Sequence, residues 1–212
     1  MELLEPDWNQ PRPSLNEVLN MCRRIELRDI ETRSDAVTQV LQCLRESHCN
    51  GGAVFATVSL GADRVFDWYA SRNRLLEWEI LPRILRREET KAILKELNIA
   101  ALLNTSTEGE ACSTSSTDGF RMDNAFSFDG QLAACLHSGG AYTRPSGDGR
   151  AAKQLALNFC DALFQLRFAD LSLFTSYAGW TPWFHGIAWD WTGVLFDRRK
   201  RLLHVLAVTD TD

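Results

Sequence analysis

Two histidines and two aspartates have side chains that acid–base catalysis uses. His137 stands beside Ser138 in front of two glycines, and His185 lies among turn residues near the C-terminus. Histidine changes its charge near neutral pH, and an aspartate such as Asp190 or Asp210 can orient its ring. These residues suggest a hydrolase-like site near a C-terminal sheet, with His137, His185 and Asp190 as the candidate catalytic residues. No G-x-S-x-G motif accompanies them, so a nucleophile elbow is not indicated.

Four carboxylates near the C-terminus are candidate ligands for a hard cation: Asp190, Asp197, Asp210 and Asp212. Mg²⁺ and Ca²⁺ prefer several oxygen ligands, and alternate residues of an extended segment share a face. Solvated acids are, however, common at chain ends, and neither a histidine pair nor an EF-hand spacing occurs here. We therefore predict no metal site and no cofactor.

The densest feature of the sequence is the run "GWTPWFHGIAWDW", which starts at Gly179 and ends at Trp191. Tryptophan combines a large apolar area with one hydrogen-bond donor, and such clusters are typical of binding surfaces. Packing of a sheet corner would explain the same residues. The predicted contact residues for a protein partner or small ligand are Trp180, Trp183, Phe184, Trp189 and Trp191.

Two charged motifs have simple structural explanations. The sequence "GDGR" precedes an apolar helical pattern, where free amides can bind phosphate, but Asp148 is better explained as the cap of that helix. The run "DRRKR" at 197–201 is typical of a solvated hairpin tip, with a small acidic or phosphate contact as the alternative.

Composition limits the class of protein. The formal net charge of −5 provides no global positive field, so general nucleic-acid binding is not expected. The six cysteines form no C-x-x-C pair and are expected to be reduced thiols, most of them buried. The N-terminus lacks a signal-peptide pattern, and no run of about 18 apolar residues occurs. We expect a cytoplasmic protein without a membrane partner; the oligomeric state is not indicated.

The first half of the sequence is mainly helical in pattern. Residues 1–13 contain three prolines and are expected to form an extended arm. Ser14 and Glu17 form a capping box for a helix over 15–24. A second helix is predicted from Ser34 to the Asn50 turn, followed by a strand over 53–61. Residues 62–98 are expected to form two or three helical pieces, interrupted at 71–73 and at Pro82.

The second half is predicted to be rich in strands. Residues 99–103 suggest a short buried strand, and the Ser/Thr-rich residues 105–119 a flexible loop. A hairpin turning at Asp129 and Gly130 is expected within 124–142. A long helix over 149–168 follows, then a strand over 171–177 and a terminal hairpin over 187–208. In its second arm, apolar residues occupy both faces, which predicts a central strand.

Together these patterns predict a single α+β domain spanning 1–212, with a mainly antiparallel sheet covered by helices. The N-terminal half is expected to be helical and the C-terminal half β-rich. The expected function is that of a non-catalytic cytoplasmic binding or accessory protein, with the Trp-rich connector and the C-terminal hairpin as its contact surface. The alternative is the hydrolase-like enzyme with a His/Asp site near the C-terminal sheet, with or without the assistance of a metal ion.

Overall fold

The computed structural model describes residues 3–99, 119–145 and 147–212. Its centre is a six-stranded, fully antiparallel sheet with the order β1-β2-β6-β5-β4-β3. The strands are β1 (Leu27–Asp29), β2 (Gly52–Leu60), β3 (Arg121–Asp123), β4 (Leu171–Ser176), β5 (Trp191–Asp197) and β6 (Leu202–Thr209).

Seven α-helices accompany the sheet in the described ranges: α1 (Leu15–Arg24), α2 (Asp35–Ser47), α3 (Arg64–Ser71), α4 (Ile80–Leu85), α5 (Glu88–Ile93), α6 (Phe128–Ser138) and α7 (Gly149–Phe164). Short 3-10 turns occur at Glu77–Glu79, Lys95–Leu97, Ala125–Ser127 and Phe168–Asp170. None of the helices in the described part of the chain has the length and apolar character to cross a bilayer. The α+β class with an antiparallel, helix-covered sheet is confirmed.

Helices cover both faces of the sheet. Residues of α1, α3, α4 and α5 form one apolar cluster with side chains such as Val205 of β6. Residues of α2, α6 and α7 form a second cluster on the other face, which includes Leu206 of the same strand. Because successive strand residues point to opposite faces, β6 contributes to both cores. Its predicted central position, buried on each side, is confirmed.

Local capping explains where two of the helices begin. The Ser14 hydroxyl accepts the Glu17 N–H while the Glu17 carboxylate accepts the Ser14 N–H at 2.8 Å, as the capping box predicts. Asp148 caps α7 by accepting the Ala151 N–H at 2.8 Å. This helix ends at Phe164, earlier than predicted, because Gln165 adopts a left-handed conformation with φ of 54°.

Pro82 lies near the start of a helix instead of at a break. It occupies the first turn of α4, where the missing N–H of proline would have no helical partner anyway. The predicted interruption after Ser71 is present, since α3 ends there. The stretch 62–98 therefore contains three short α-helices, as expected for interrupted helical pieces.

The predicted hairpin at Asp129 and Gly130 is wrong. These residues lie in the first turn of α6, and Phe128, Leu132 and Leu136 are buried along it at four-residue intervals. That spacing places the three side chains on one helical face. Although the Asp-Gly pair favours a turn locally, burial of this apolar face in the second core stabilises a helix instead.

Gly193 in β5 lies where α6 packs on the sheet. A Cβ atom built on Gly193 would lie 2.9 Å from a ring carbon of Phe128 and 3.1 Å from the Trp191 ring. The Phe128 and Trp191 rings stack over it with centroids 6.0 Å apart. The missing side chain at position 193 thus allows α6 to approach the sheet closely.

The terminal hairpin is present but shorter than predicted. Its first strand begins at Trp191, because residues 187–190 form a turn in which the Asp190 N–H donates to the Ile187 carbonyl at 3.0 Å. The predicted strand residues 100–103 and most of the Ser/Thr-rich loop, 105–118, lie outside the described residues. Residues 3–13 contain neither helix nor strand, but Leu4 is buried and its N–H donates to the Arg199 carbonyl.

A buried histidine in β6 starts a chain of hydrogen bonds. His204 Nδ1 lies 2.9 Å from the Thr57 hydroxyl, which lies 2.9 Å from the Thr32 hydroxyl, and Thr32 donates to the Ile30 carbonyl. Within the described part of the chain, His204 Nε2 is buried without a hydrogen-bond partner. Burial lowers the pKa of His204 to about 4. The folded protein therefore holds this ring neutral.

Acid should destabilise the fold through His204. Its pKa is depressed below the ordinary value of 6.5, so its stabilising contribution is complete above pH 6.5 and is lost as pH falls toward 4. Between pH 7 and pH 5 we expect this group to reduce the unfolding free energy by about 2 kcal/mol. Urea unfolding at both pH values should show that His204→Gln removes that part of the pH dependence. Equal slopes for wild type and variant would contradict the assignment.

Candidate functional site

The Trp-rich connector, residues 177–190, joins β4 to β5. Trp180 and Phe184 are buried in the core on the α1/α3 face of the sheet, and Trp183 is half-buried with its ring 5.1 Å from that of Phe184. Phe120, just before β3, packs on Trp180 at 5.4 Å. Most of this aromatic surface is therefore internal packing that fixes the connector to the sheet.

The other two predicted tryptophans, Trp189 and Trp191, are not part of that core. Trp191 is buried on the α6 face, whereas Thr192 faces the other way and accepts the Trp180 indole N–H at 2.9 Å. The sheet thus separates the Trp191 and Trp180 rings. Trp189 is half-buried on the connector. The five predicted contact residues do not form one surface, because the strand begins at Trp191 and alternation sends neighbouring side chains to opposite faces.

Asp190 anchors the connector. Its buried carboxylate accepts N–H groups from His185 (3.4 Å), Gly186 (2.6 Å) and Ile187 (3.2 Å), and the Thr209 hydroxyl at 2.5 Å. His185 contributes only its backbone to this arrangement, and its side chain is exposed. The predicted histidine–aspartate pair therefore does not form, because the carboxylate is engaged in holding the loop.

The other predicted carboxylates also bind local donors. Asp197 accepts Arg167 at 2.7 Å and the Arg199 and Lys200 N–H groups, whereas Asp210 accepts the N–H groups of Asn50 and Ala141. Since β5 and β6 are antiparallel, Asp197 and Asp210 lie at opposite ends of the sheet. Asp212 is exposed. In residues 3–99, 119–145 and 147–212, no group of three potential metal ligands is assembled.

The predicted histidine His137 lies beside a pocket. It is exposed on the last turn of α6 and lines a cavity of about 370 Å³ with Cys43, Glu46 and Arg144. Leu136, Leu155, Ala151 and Ala152 contribute the apolar lining. Partial burial raises the pKa of the Cys43 thiol, which disfavours the nucleophilic thiolate. The pocket suits a small apolar group better than covalent catalysis.

A contact between His48 and Cys135 had no signal in the sequence. His48 Nδ1 lies 3.0 Å from the Leu44 carbonyl, so this nitrogen carries the proton, and Nε2 is free to accept the Cys135 thiol at 3.9 Å. Burial lowers the pKa of His48 and raises that of Cys135 to about 12. Both groups are neutral, and the pair is a packing contact instead of an activated nucleophile.

The basic run at 197–201 is largely used inside the fold. Arg198 donates to the carbonyls of Ala169 and Asp170, and Arg201 forms a buried ion pair with Asp67 at 2.7 Å. Arg199 remains more than half exposed. These contacts leave little of the run for a phosphate-binding patch.

An apolar surface that the sequence analysis missed surrounds the edge strand β3. Three large side chains are exposed there and form what we call the edge rim: Met122 (47%), Phe126 (64%) and Tyr177 (53%). The Arg121 guanidinium stacks over the Tyr177 ring at 5.4 Å, and Phe126 stacks on Phe168 at 5.5 Å. Pairing of β3 with β4 places Met122 and Tyr177 at one edge of the sheet, although they are about 50 positions apart in the sequence. Met122 pairs with Phe174 of the first core, whereas Phe126 packs on Phe168 beside the second core, so the rim extends over both faces of this edge. The rim adjoins the connector through the Phe120–Trp180 contact.

Comparison of the chain with protein-family models, with curated proteins and with solved structures finds no match.

Asp190→Asn should destabilise the protein. The amide has the same shape but loses the charge and one acceptor oxygen, so the three N–H groups and Thr209 lose strong bonds. We expect the unfolding free energy to fall by about 2–3 kcal/mol. Urea unfolding measures this, and Asp212→Asn, at an exposed position, is the control, with an expected change below about 0.5 kcal/mol. An unchanged stability in Asp190→Asn would contradict the anchoring role.

Proposed function

We propose that this chain is a non-catalytic binding protein whose contact surface is the edge rim, together with the outer side of the Trp-rich connector. The observation that carries the proposal is the exposure of Met122, Phe126 and Tyr177 around one sheet edge. Three large apolar side chains exposed around one sheet edge favour a protein or ligand contact, since leaving them in water is unfavourable. The C-terminal hairpin is not part of this surface, because both faces of β5 and β6 are buried.

The character of the rim favours a protein partner. Aromatic residues, methionine and arginine are enriched in protein interfaces, and the rim combines Met122, Phe126 and Tyr177 with Arg121. The net charge of −5 argues against a nucleic-acid partner. We further propose a cytoplasmic location, since the five cysteines of the described ranges are all free thiols, as expected in a reducing compartment.

The hydrolase alternative has less support. Among the described residues, the rings of His137 and His185 are exposed without a hydrogen-bonded carboxylate. The buried aspartates already accept backbone donors. General base catalysis requires a histidine within reach of both its orienting group and its substrate.

Replacing the rim should abolish partner capture. A triple variant with Met122→Ser, Phe126→Ser and Tyr177→Ser removes the exposed apolar area, and we expect at least tenfold lower recovery of a bound protein from host lysate, measured by quantitative mass spectrometry. The matched control replaces Ile30, Tyr142 and Leu166, which are also exposed, with serine. Both variants must retain the wild-type circular dichroism spectrum. Equal recovery of every protein by the two variants would refute the rim as the contact surface.

A further inference from the structure

The N-terminal segment lies across an aromatic groove on the helical layer. Four residues contact the segment there, and we call them the aromatic groove: Trp68, Tyr69, Arg72 and Trp78. The segment that crosses it, residues 7–13, has the sequence "DWNQPRP". Of these residues Pro13 is buried, whereas Pro11 and Arg12 are exposed.

The groove holds the backbone of the segment through two donors. The Trp68 indole N–H donates to the Gln10 carbonyl at 3.0 Å, and the Tyr69 hydroxyl donates to the Pro13 carbonyl at 2.9 Å. These carbonyls are three residues apart, which is the repeat of a polyproline II helix. Proline fixes its own φ and favours extended backbone in the preceding residue, so 10–13 is predisposed to this conformation. Aromatic grooves whose donors bind such carbonyls are a recurring mode of peptide recognition.

The groove also selects the side chain between the two prolines. The Arg12 guanidinium lies 5.9 Å from the centre of the Trp78 ring and forms an ion pair with Glu77 at 2.8 Å. An arginine at this position therefore contacts both an aromatic face and a carboxylate. The arrangement can distinguish a Pro-Arg-Pro sequence from other extended segments.

The geometry of Trp78 is unusual and serves the groove. Trp78 and Glu79 both adopt left-handed backbone conformations, with φ of 52° and 56°. In this conformation the Trp78 indole N–H donates to the Tyr69 hydroxyl at 3.2 Å, and that hydroxyl donates onward to Pro13. Backbone strain of this kind concentrates at ligand clamps and active sites.

Trp8, near the N-terminal end of the segment, stacks on Arg72 of the groove. Its ring lies 4.8 Å from the Arg72 guanidinium, which also stacks over Trp68 at 4.5 Å. Arg72 donates to the Asp7 carbonyl at 3.2 Å. Trp8 is nevertheless 66% exposed, so this contact is open to competition by another molecule.

We propose that the aromatic groove is a recognition site for a Pro-Arg-Pro segment of a partner protein, and that residues 7–13 occupy it as a tethered competitor. The sequence of the bound segment, a proline on either side of an arginine, indicates the sequence expected in the partner. The direct connection of the segment to α1 through Ser14 keeps it at a high effective concentration beside the groove, so the groove stays closed against weaker peptides. The site is formed by elements other than the edge rim and does not depend on the proposed function.

Exchange of the segment between two copies is disfavoured by its connection to α1. Only Ser14 separates Pro13 from Leu15, the first residue of α1, and Ser14 forms the capping box of that helix. The helix in turn packs against α3 of the same chain. The segment therefore has no free linker with which to reach a second copy.

The test uses the full chain with a weakened tether. The variant Trp8→Ala/Arg12→Ala loses the stack on Arg72 and the ion pair with Glu77, but keeps the groove. A fluorescein-labelled peptide DWNQPRPS is titrated against it by fluorescence anisotropy. We expect binding at least tenfold tighter than to the wild type. Adding Tyr69→Phe and Glu77→Gln to the variant should weaken binding at least tenfold, whereas Glu31→Gln, at an exposed position that is not part of the groove, should not change it.

A peptide with both prolines replaced by alanine should bind at least tenfold more weakly than DWNQPRPS. Circular dichroism confirms that each variant is folded, and Tyr69→Phe alone, which keeps the ring, serves if the combined variant is unstable. Failure of DWNQPRPS to bind the folded tether variant, or binding that ignores Tyr69→Phe and Glu77→Gln, would overturn the proposal. A concentration-dependent dimer of the tether variant, dissociated by the peptide in sedimentation velocity, would assign the groove to a second copy instead.

Discussion

The strand β6 has apolar side chains on both faces, and both faces must leave water for the chain to fold. A strand of this kind is stable only between two other strands and between two layers of cover. Here β2 and β5 pair with its edges, and the helices divide into one group on each face. The pairing of β6 with two neighbours and the two helical layers follow from this requirement, and the loops must join strands across a sheet whose centre is covered on both faces.

Buried carboxylates hold those loops in place. Asp190, Asp197 and Asp210 stand at the ends of the two central strands, and each accepts backbone N–H groups from an adjoining loop. A buried charge is tolerated only when donors surround it, so each aspartate fixes the path of the chain near it. Asp190, for example, fixes the path of residues 185–187 of the connector. Aspartates that resemble parts of a reactive site in the sequence therefore serve to hold loops in place.

Periodic features were predictable from the sequence, and competing local signals were not. The two-sided apolar pattern of β6 predicted its central place, and the Ser14 and Glu17 spacing predicted the start of α1. The Asp-Gly pair suggested a turn, although the four-residue spacing of the apolar residues from Phe128 onward favoured the helix. The sequence shows that the connector is rich in aromatic residues. Because the connector has no helical or strand periodicity, the sequence does not show which aromatic ring packs on which face of the sheet. The edge rim depends on strand pairing between distant segments and had no local signal.

Gly193 shows how one position can limit variation in a whole layer. Strands generally accept valine, isoleucine or threonine well, and a centrally placed glycine is a poor strand former. Here those substitutions would drive a methyl group into the Phe128 ring and lift α6 from the sheet. Natural variants of this protein should therefore keep glycine at this site even where Val194 and Leu195 exchange with other apolar residues, unless a smaller residue replaces Phe128 at the same time.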